Sequence, residues 1–251
     1  MQVISWNVWG LGSSVKRKEI RMVLWQQRAE MVFLIETKLE LLSESLIKSI
    51  WWTDSFRYVF SPSVGLSCGI IIMLKDWKCG MLVTYVPCGV MEQVVCWQSL
   101  SALIVSCDVS VCCGGDFNAV FLLAERRNCL GDRRGMAAFL EFVEEVGLLD
   151  LSASGCKFSW YGGDSKVIHL DRFLVSASWI EKFVVQHNLS HSVSDHLPVR
   201  LSSSVFDWGP RPFRSVDLQI EVTKEFSMIW ISKGVEYGTG GFSYDSALVA
   251  W

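Results

Sequence analysis

An acid and an amide two residues apart, Asp116 and Asn118, follow Gly114-Gly115 at the end of the apolar run Val109-Ser110-Val111-Cys112-Cys113. In that setting Asp116 can accept a proton from water, and Asn118 can hold that water or a phosphate oxygen. The glycines allow a sharp turn and a close approach of the backbone to a ligand. The plainer reading is an Asx-rich turn whose side chains only cap the backbone, and it stands unless partners occur elsewhere. They do. Asn7 closes the strand-like Gln2-Val3-Ile4-Ser5-Trp6, and Glu36 ends the apolar run Met31-Val32-Phe33-Leu34-Ile35. Asp171 interrupts the apolar stretch from Ile168 to Leu174, where a buried carboxylate needs a partner. Asp195 and His196 adjoin just before Val199-Arg200-Leu201, and Asp171 is available to orient the imidazole. Tyr85, near the end of a strand stopped by Pro87, can offer a phenol to a phosphate, although such a tyrosine is more often core with its hydroxyl at the rim.

These residues need a scaffold that brings strand ends together. Ser13 or Ser14 can cap a helix whose Ile20, Val23, Leu24 and Gln27 share a face. Flanked by the strands ending in Asn7 and Glu36, it makes a β-α-β opening and argues for a buried sheet with helix cover, an α/β fold. Ligands in such sheets lie at the carboxyl ends of the strands. Further strands are expected from Phe56 to Phe60, Gly69 to Leu74, Met81 to Val86, Phe158 to Trp160 and Ile168 to Leu174. Trp97, Leu100 and Ile104 share one helix face. Met136, Phe139, Leu140, Val143 and Val146 share another, closed by Gly147. Asp76 to Gly80 reads as a turn. Residues 206–251 change character, with a turn-rich Trp208-Gly209-Pro210-Arg211-Pro212-Phe213-Arg214 and a flexible Gly238-Thr239-Gly240-Gly241. They read as a linker or tail carrying a partial helix near Thr223 to Trp230, outside a domain of residues 1–205.

The bulk properties exclude several classes. With 51% hydrophobic and 20% charged residues the chain can bury a large core and is not wholesale disordered. A net charge of −3 excludes a general polycation, so nucleic-acid contact must come from local clusters. Two candidates are Lys16-Arg17-Lys18 with Arg21, and Arg126-Arg127 with Arg133-Arg134; solvated surface is an equally good account of each. Nine cysteines, an odd number without zinc spacing, fit a reducing compartment. Neither a signal peptide nor a membrane-spanning run is read, which points to a nuclear or cytoplasmic setting.

Taken in order, Ile4-Ser5-Trp6-Asn7, Ile35-Glu36-Thr37-Lys38, Tyr85-Val86-Pro87, Gly115-Asp116-Phe117-Asn118, Leu170-Asp171-Arg172-Phe173 and Ser194-Asp195-His196 resemble the endonuclease/exonuclease/phosphatase superfamily, in particular its exonuclease III and apurinic-endonuclease branch. The endonuclease domain of plant LINE-type retrotransposons is the closest look-alike. Asn7-Val8-Trp9-Gly10-Leu11-Gly12-Ser13, Leu170 to Leu174 and Trp208 to Arg214 are similar to segments of that group, the last of which leads toward a reverse transcriptase. The resemblance implies a four-layer α/β sandwich, two packed sheets flanked by helices. It implies hydrolysis of a DNA phosphodiester with a divalent metal, normally Mg2+, with Mn2+ as the substitute. It assigns Glu36, Asn7 and Asp195 to the metal, Asp116 with Asn118 to the water, His196 oriented by Asp171 to the scissile phosphate, and Tyr85 to a phosphate contact.

Two departures stand out. Trp9 occupies a position where the apurinic-endonuclease branch has an aspartate. Between Gly69 and Tyr85 the chain is shorter than the superfamily pattern by a pair of strands. Either Ile70–Leu74 and Leu82–Val86 close as a tight hairpin, or an unprotected edge carrying Ile70, Ile71 and Ile72 remains, and the second outcome is favoured. The expected partner is DNA, with no membrane, and the chain is read as a monomer or as aggregation-prone. Two other functions stay open: a phosphatase of the same superfamily acting on a small or lipid phosphoester, and an inactive retroelement remnant that only binds nucleic acid.

Overall fold

The computed structural model describes residues 1–53, 56–63, 69–74, 80–106, 110–180, 183–190 and 193–203, together with the backbone of three later strands. It is a mixed α/β structure in which two large sheets are packed face to face and each carries helices on its outer face. The α/β sandwich expected from the sequence is the observed architecture.

The first sheet grows from the β-α-β opening. β1 (Gln2–Asn7) and β2 (Met31–Ile35) pair in parallel around α1 (Ser14–Gln26), whose N-cap is Ser13. α2 (Glu44–Ile50) follows, then β3 (Arg57–Ser61) and β4 (Ile70–Leu74). In β2 the side chains alternate between two buried faces. Met31, Phe33 and Ile35 point into the space between the sheets, whereas Val32 and Leu34 pack with Ile20, Leu24, Ile47 and Ile50 of the helices. A strand covered on both sides has no reason to alternate in polarity, which is why β2 reads as an unbroken apolar run.

The second sheet starts with β5 (Gly80–Tyr85), which pairs in parallel with β6 (Val111–Asp116) across α3 (Val90–Ser106). After the short β7 (Arg126–Arg127), α4 (Arg133–Glu145) ends at Gly147, whose φ of 64° suits the residue just past a helix. Trp97 of α3 stacks on Phe142 and Phe139 of α4 with ring centroids 4.9 and 5.0 Å apart, fixing the outer layer. β8 (Leu148–Asp150), β9 (Ala153–Gly155), β10 (Trp160–Tyr161) and β11 (Val167–Ile168) lead to β12 (Asp171–Ser176), β13 (Phe183–Asn188) and β14 (Val199–Ser203). The first sheet has the order β3-β4-β2-β1-β14-β13-β9, and β10-β11-β7 form a small third sheet. Beyond residue 206 the backbone of β15 (Asp217–Thr223), β16 (Met228–Gly234) and β17 (Ala247–Leu248) extends the second sheet, giving β17-β15-β16-β5-β6-β12-β8.

Three expectations are corrected. β4 and β5 neither close as a hairpin nor leave an edge: β4 lies between β2 and β3 in one sheet, and β5 lies between β6 and β16 in the other. Ile70, Ile71 and Ile72 are therefore completely buried. Two apolar runs close in sequence read as a hairpin or as strands lacking neighbours, but each is an interior strand of a different sheet with partners from elsewhere in the chain. The partial helix near Thr223–Trp230 is replaced by strand at 217–223 and 228–234, and β16 takes the pairing positions beside β5 for which no partner was foreseen. Finally, Gly114 and Gly115 lie inside β6 and do not form a turn. A Cβ on Gly114 would meet Phe173 Cε1 at 2.4 Å, and one on Gly115 would meet the Thr84 carbonyl oxygen at 1.9 Å. Close sheet packing, not ligand approach, requires these glycines. The turn expected from Asp76 to Gly80 falls, but for Gly80, outside the described residues, as do Trp208 to Arg214 and Gly238 to Gly241.

Candidate functional site

Strand direction gathers the polar residues at one end of the sandwich. β1 and β2 run parallel, so Asn7 and Glu36 leave their strands side by side. β5 and β6 also run parallel, and Tyr85 is in register with Asp116. β12 runs antiparallel to β6 and starts where β6 ends, setting Asp171 directly opposite Asp116. β14 runs antiparallel to β1, so His196, three residues before it, returns to the same end.

The side chains then meet. Asn7 Nδ2 donates to Glu36 Oε1 at 3.1 Å and to Asp116 Oδ2 at 3.0 Å, clipping the two carboxylates together. Asp116 Oδ1 accepts the backbone N–H of Asn118 at 3.0 Å. His196 Nδ1 is 2.8 Å from Asp171 Oδ2, and its Nε2 is 3.8 Å from Asp116 Oδ2. Tyr85 borders Glu36 and Asp116, and its phenol is held far above its ordinary pKa by burial, by those charges and by a hydrogen bond to Glu36. Among the residues expected at the site, these six come together: Asn7, Glu36, Tyr85, Asp116, Asp171 and His196. Asn118 is adjacent, but its side-chain N–H is spent on the Val86 carbonyl at 2.7 Å. Asp195 is exposed at the rim and accepts from Trp160 Nε1 at 2.9 Å and from Ser194 at 3.1 Å.

Burial makes the charges at this end interact strongly. Asp116 and Asp171 are 1% and 0% exposed, and His196 6%. Burial, and then the charge of Asp171, push the Asp116 carboxyl up to about 7, against the pull of His196 and the hydrogen bonds from Asn7 and Asn118. For His196 burial disfavours the imidazolium, but Asp171 and Asp116 outweigh it and push the ring up to about 10. Two buried acids thus face one imidazole, Asp171 at Nδ1 and Asp116 toward Nε2, and their charges favour the imidazolium. Ligand atoms of Asp116, Asp171 and His196 lie within 4.8 Å of one another, a spacing that suits a metal ion. Asp171 Oδ1 is sealed from solvent with no hydrogen-bond partner among the described residues.

The surrounding backbone is unusual. Trp9, Glu36, Lys38 and Asn118 all have φ between 45 and 54°, a region that non-glycine residues rarely enter and that concentrates at functional sites. Several supporting residues carried no sequence signal. Ser159 Oγ accepts the backbone N–H groups of Leu170 and Asp171, both at 2.8 Å, fixing the start of β12. Trp6 Nε1 donates to the His196 carbonyl at 3.2 Å. Both serve as backbone clips, a role that only three-dimensional proximity defines.

The first basic cluster proves largely structural. Lys16 donates to the Val8 and Trp9 carbonyls, Arg17 to those of Leu11 and Gly12, and Arg21 to those of Lys48 and Trp51. In the second, Arg126 holds the Leu130 carbonyl and Arg134 pairs with Asp132, while the exposed Arg127 lies over the Phe158 ring. A cavity of about 410 Å³ lined by Glu125, Asp150, Lys157 and His169, among others, shares no residue with the acidic cluster. Among the described residues no helix is long and apolar enough to cross a membrane.

Comparison with known proteins matches this geometry at the level of fold. The structure is similar to an AP endonuclease from Archaeoglobus fulgidus, with a TM-score of 0.66 and 17% identity over 82% of this chain and 100% of the other. It is similar to a 3′-5′ exonuclease from Neisseria meningitidis, with a TM-score of 0.67 and 14% identity at the same coverage. A Neisseria 3′ phosphatase bound to a product DNA hairpin gives 0.64 and 15%, again over 82% and 100%. No curated protein sequence matches the chain. The match to the Endonuclease/Exonuclease/phosphatase family extends from residue 4 to residue 196, from β1 to the histidine of the cluster, and on that extent the chain belongs to this family.

Proposed function

We propose that this chain is a divalent-metal-dependent DNA endonuclease, a phosphodiester hydrolase that nicks DNA. The observation that carries the reading is the Asp171–His196–Asp116 cluster, joined through Asn7 to Glu36 at one end of the sandwich. A phosphodiester is an anion that repels hydroxide, so its hydrolysis needs an oriented water, a proton acceptor and donors for developing charge.

Each requirement has a residue. Asp116, with a pKa raised to about 7, is matched to taking a proton from water near neutrality. His196, protonated and oriented by Asp171 through Nδ1, presents Nε2 to a phosphoryl oxygen. Tyr85 keeps its phenolic proton and serves as a second donor. Asn118 anchors Asp116 through its backbone N–H.

The residues fit a divalent cation: the Asn7 amide brings Glu36 Oε1 beside the Asp116 carboxylate, an oxygen-rich set of the kind Mg2+ takes. Glu36 is the carboxylate we assign to holding it, with Asn7 beside it and Asp195 at the rim. Mg2+, or Mn2+ in its stead, would supply positive charge to the phosphate oxygens. Residues 1–205 form the catalytic domain in this reading. The likeness of the 7–13, 170–174 and 208–214 segments to plant LINE-type elements supports a retrotransposon origin, with residues 206–251 leading toward a reverse transcriptase. DNA is the partner, in a nuclear or cytoplasmic setting.

The test is conversion of supercoiled plasmid to nicked circles by purified chain, with Mg2+ and with EDTA. Metal-dependent nicking is expected. Release of phosphate from a DNA 3′ end or a small phosphoester without nicking would shift the assignment to a phosphatase, and inertness toward both would overturn it.

A further inference from the structure

Trp9 lies two residues beyond Asn7, and its conformation is costly. A bulky residue at φ 45° is strained, by about 1–3 kcal/mol. The backbone is nevertheless pinned there: Trp9 N–H donates to Asn7 Oδ1 at 3.2 Å, and its carbonyl accepts from Lys16 Nζ at 3.2 Å. The indole gains little burial in return, since Trp9 is 59% exposed. Lys38, in the loop after β2 and itself at φ 54°, sets its ammonium 4.5 Å from the Trp9 ring centroid and 4.0 Å from Glu36 Oε2. The two loops are zipped together by Gly10 N–H to Glu36 O and Leu11 N–H to Thr37 O, at 2.7 and 3.0 Å. An exposed aromatic ring, capped on one face by a cation, is thus held rigidly beside the Glu36–Asn7–Asp116 group.

We propose that Trp9 and Lys38 form a nucleobase subsite: the indole stacks on an unpaired base next to the phosphodiester being cut, and the Lys38 ammonium contacts a neighbouring phosphate. The proposal rests on the nuclease reading and adds a preference for DNA with an unpaired base close to the cut. Stacking on an aromatic side chain tolerates any base, because every base has a π-face. Folding alone does not account for the pair, which spends strain and leaves apolar surface in water. A docked protein is the other way to cover an exposed tryptophan. The nucleobase is favoured because the ring adjoins the cluster that would hold the phosphate of the same strand.

The experiment measures fluorescence-anisotropy affinity of the full chain for a single-stranded oligonucleotide and for the same sequence fully paired. It is done in Mg2+ with Asp116→Asn present throughout to prevent cleavage. Adding Trp9→Ala is expected to weaken single-strand binding by about tenfold, the equivalent of one lost stack. It leaves duplex binding and the melting temperature near those of Asp116→Asn alone, and Trp9→Phe retains most of the affinity. Lys38→Ala is expected to lower the salt slope by about one on both oligonucleotides. Unchanged single-strand affinity in Trp9→Ala, or an equal loss on both, overturns the subsite and leaves a protein contact as the use of Trp9. Plasmid nicking by the parent separates the two levels: a parent that nicks DNA while Trp9→Ala leaves single-strand affinity unchanged overturns the subsite alone, and one that neither binds nor nicks overturns both readings.

Discussion

Replacing Arg172 with Met separates what holds this protein together from what it does. Arg172 is completely buried, yet on the face of β12 opposite Asp171. Its guanidinium pairs with Glu125 and Asp150, each at 3.0 Å, donates to the His169 carbonyl at 2.8 Å and lies 4.7 Å from the centroid of the Phe121 ring. Methionine keeps much of the packing volume but leaves two carboxylates facing each other. Asp150 is already pushed above its usual range by burial, against the pull of Arg172, so removing the cation raises the cost of its charge. Breaking a buried pair typically costs 3–5 kcal/mol, and the side-chain exposures of 20% and 30% for Glu125 and Asp150 argue for the low end. A loss of about 3 kcal/mol lowers the melting midpoint by roughly 6–12 °C for a chain of this size. Denaturant unfolding at neutral pH measures it, with nicking at low temperature as the functional control. Activity per folded molecule is expected to stay near the parent's, and Glu125→Gln with Asp150→Asn is expected to recover part of the lost stability. A midpoint within about 0.5 kcal/mol of the parent would refute the reasoning, since only surface substitutions are that mild.

Other substitutions probe the sheet and the charges. Gly115→Ala forces a Cβ against the Thr84 carbonyl and is expected to cost about 3 kcal/mol or more in urea unfolding, whereas Gly12→Ala, where nothing lies within 4 Å, is expected to be nearly neutral. His169 is kept neutral, its pKa lowered to about 4 by burial and by Arg172. The unfolded chain therefore takes up this proton first, and stability falls from pH 6.5 toward 4, by about 3 kcal/mol at the limit. His169→Asn should flatten that part of a stability–pH curve. Asp171→Asn removes the strongest influence raising His196 and should cost both activity and about 3 kcal/mol of stability. A raised histidine stabilises fully below its unfolded pKa, so the parent's advantage should be widest near pH 6 and close as pH rises toward 10. Parallel melts across that range check it.

The convergence of the candidate residues was legible because they break a local rule. Asp171 interrupts an apolar run, and Asn7, Glu36, Tyr85 and Asp116 each lie at the end of one, so strand direction alone brings them to one edge. Local spacing did not reveal why Gly114 and Gly115 are glycines, since the Phe173 ring and the Thr84 carbonyl come from other strands. The same holds for Lys16, Arg17 and Arg21, which look like an anion-binding patch in sequence and are carbonyl clips in space. Gln186 of β13 is completely buried, and its carboxamide serves the Phe173 N–H at 2.7 Å and the Leu151 carbonyl at 2.7 Å. Nothing in Phe183-Val184-Val185-Gln186-His187-Asn188 announces that duty. α2 was also unread, being a short helix capped by Ser43.

In the proposed function Asp116 takes the proton from water as a DNA phosphodiester is cleaved. The most direct measurement is the single-turnover cleavage rate of an end-labelled oligonucleotide in Mg2+, for the parent and for Asp116→Asn, with folding of both verified by circular dichroism. A parent that cleaves is expected, with a folded Asp116→Asn protein slower by about two to four orders of magnitude. A folded Asp116→Asn protein that cleaves as fast as its parent would contradict it.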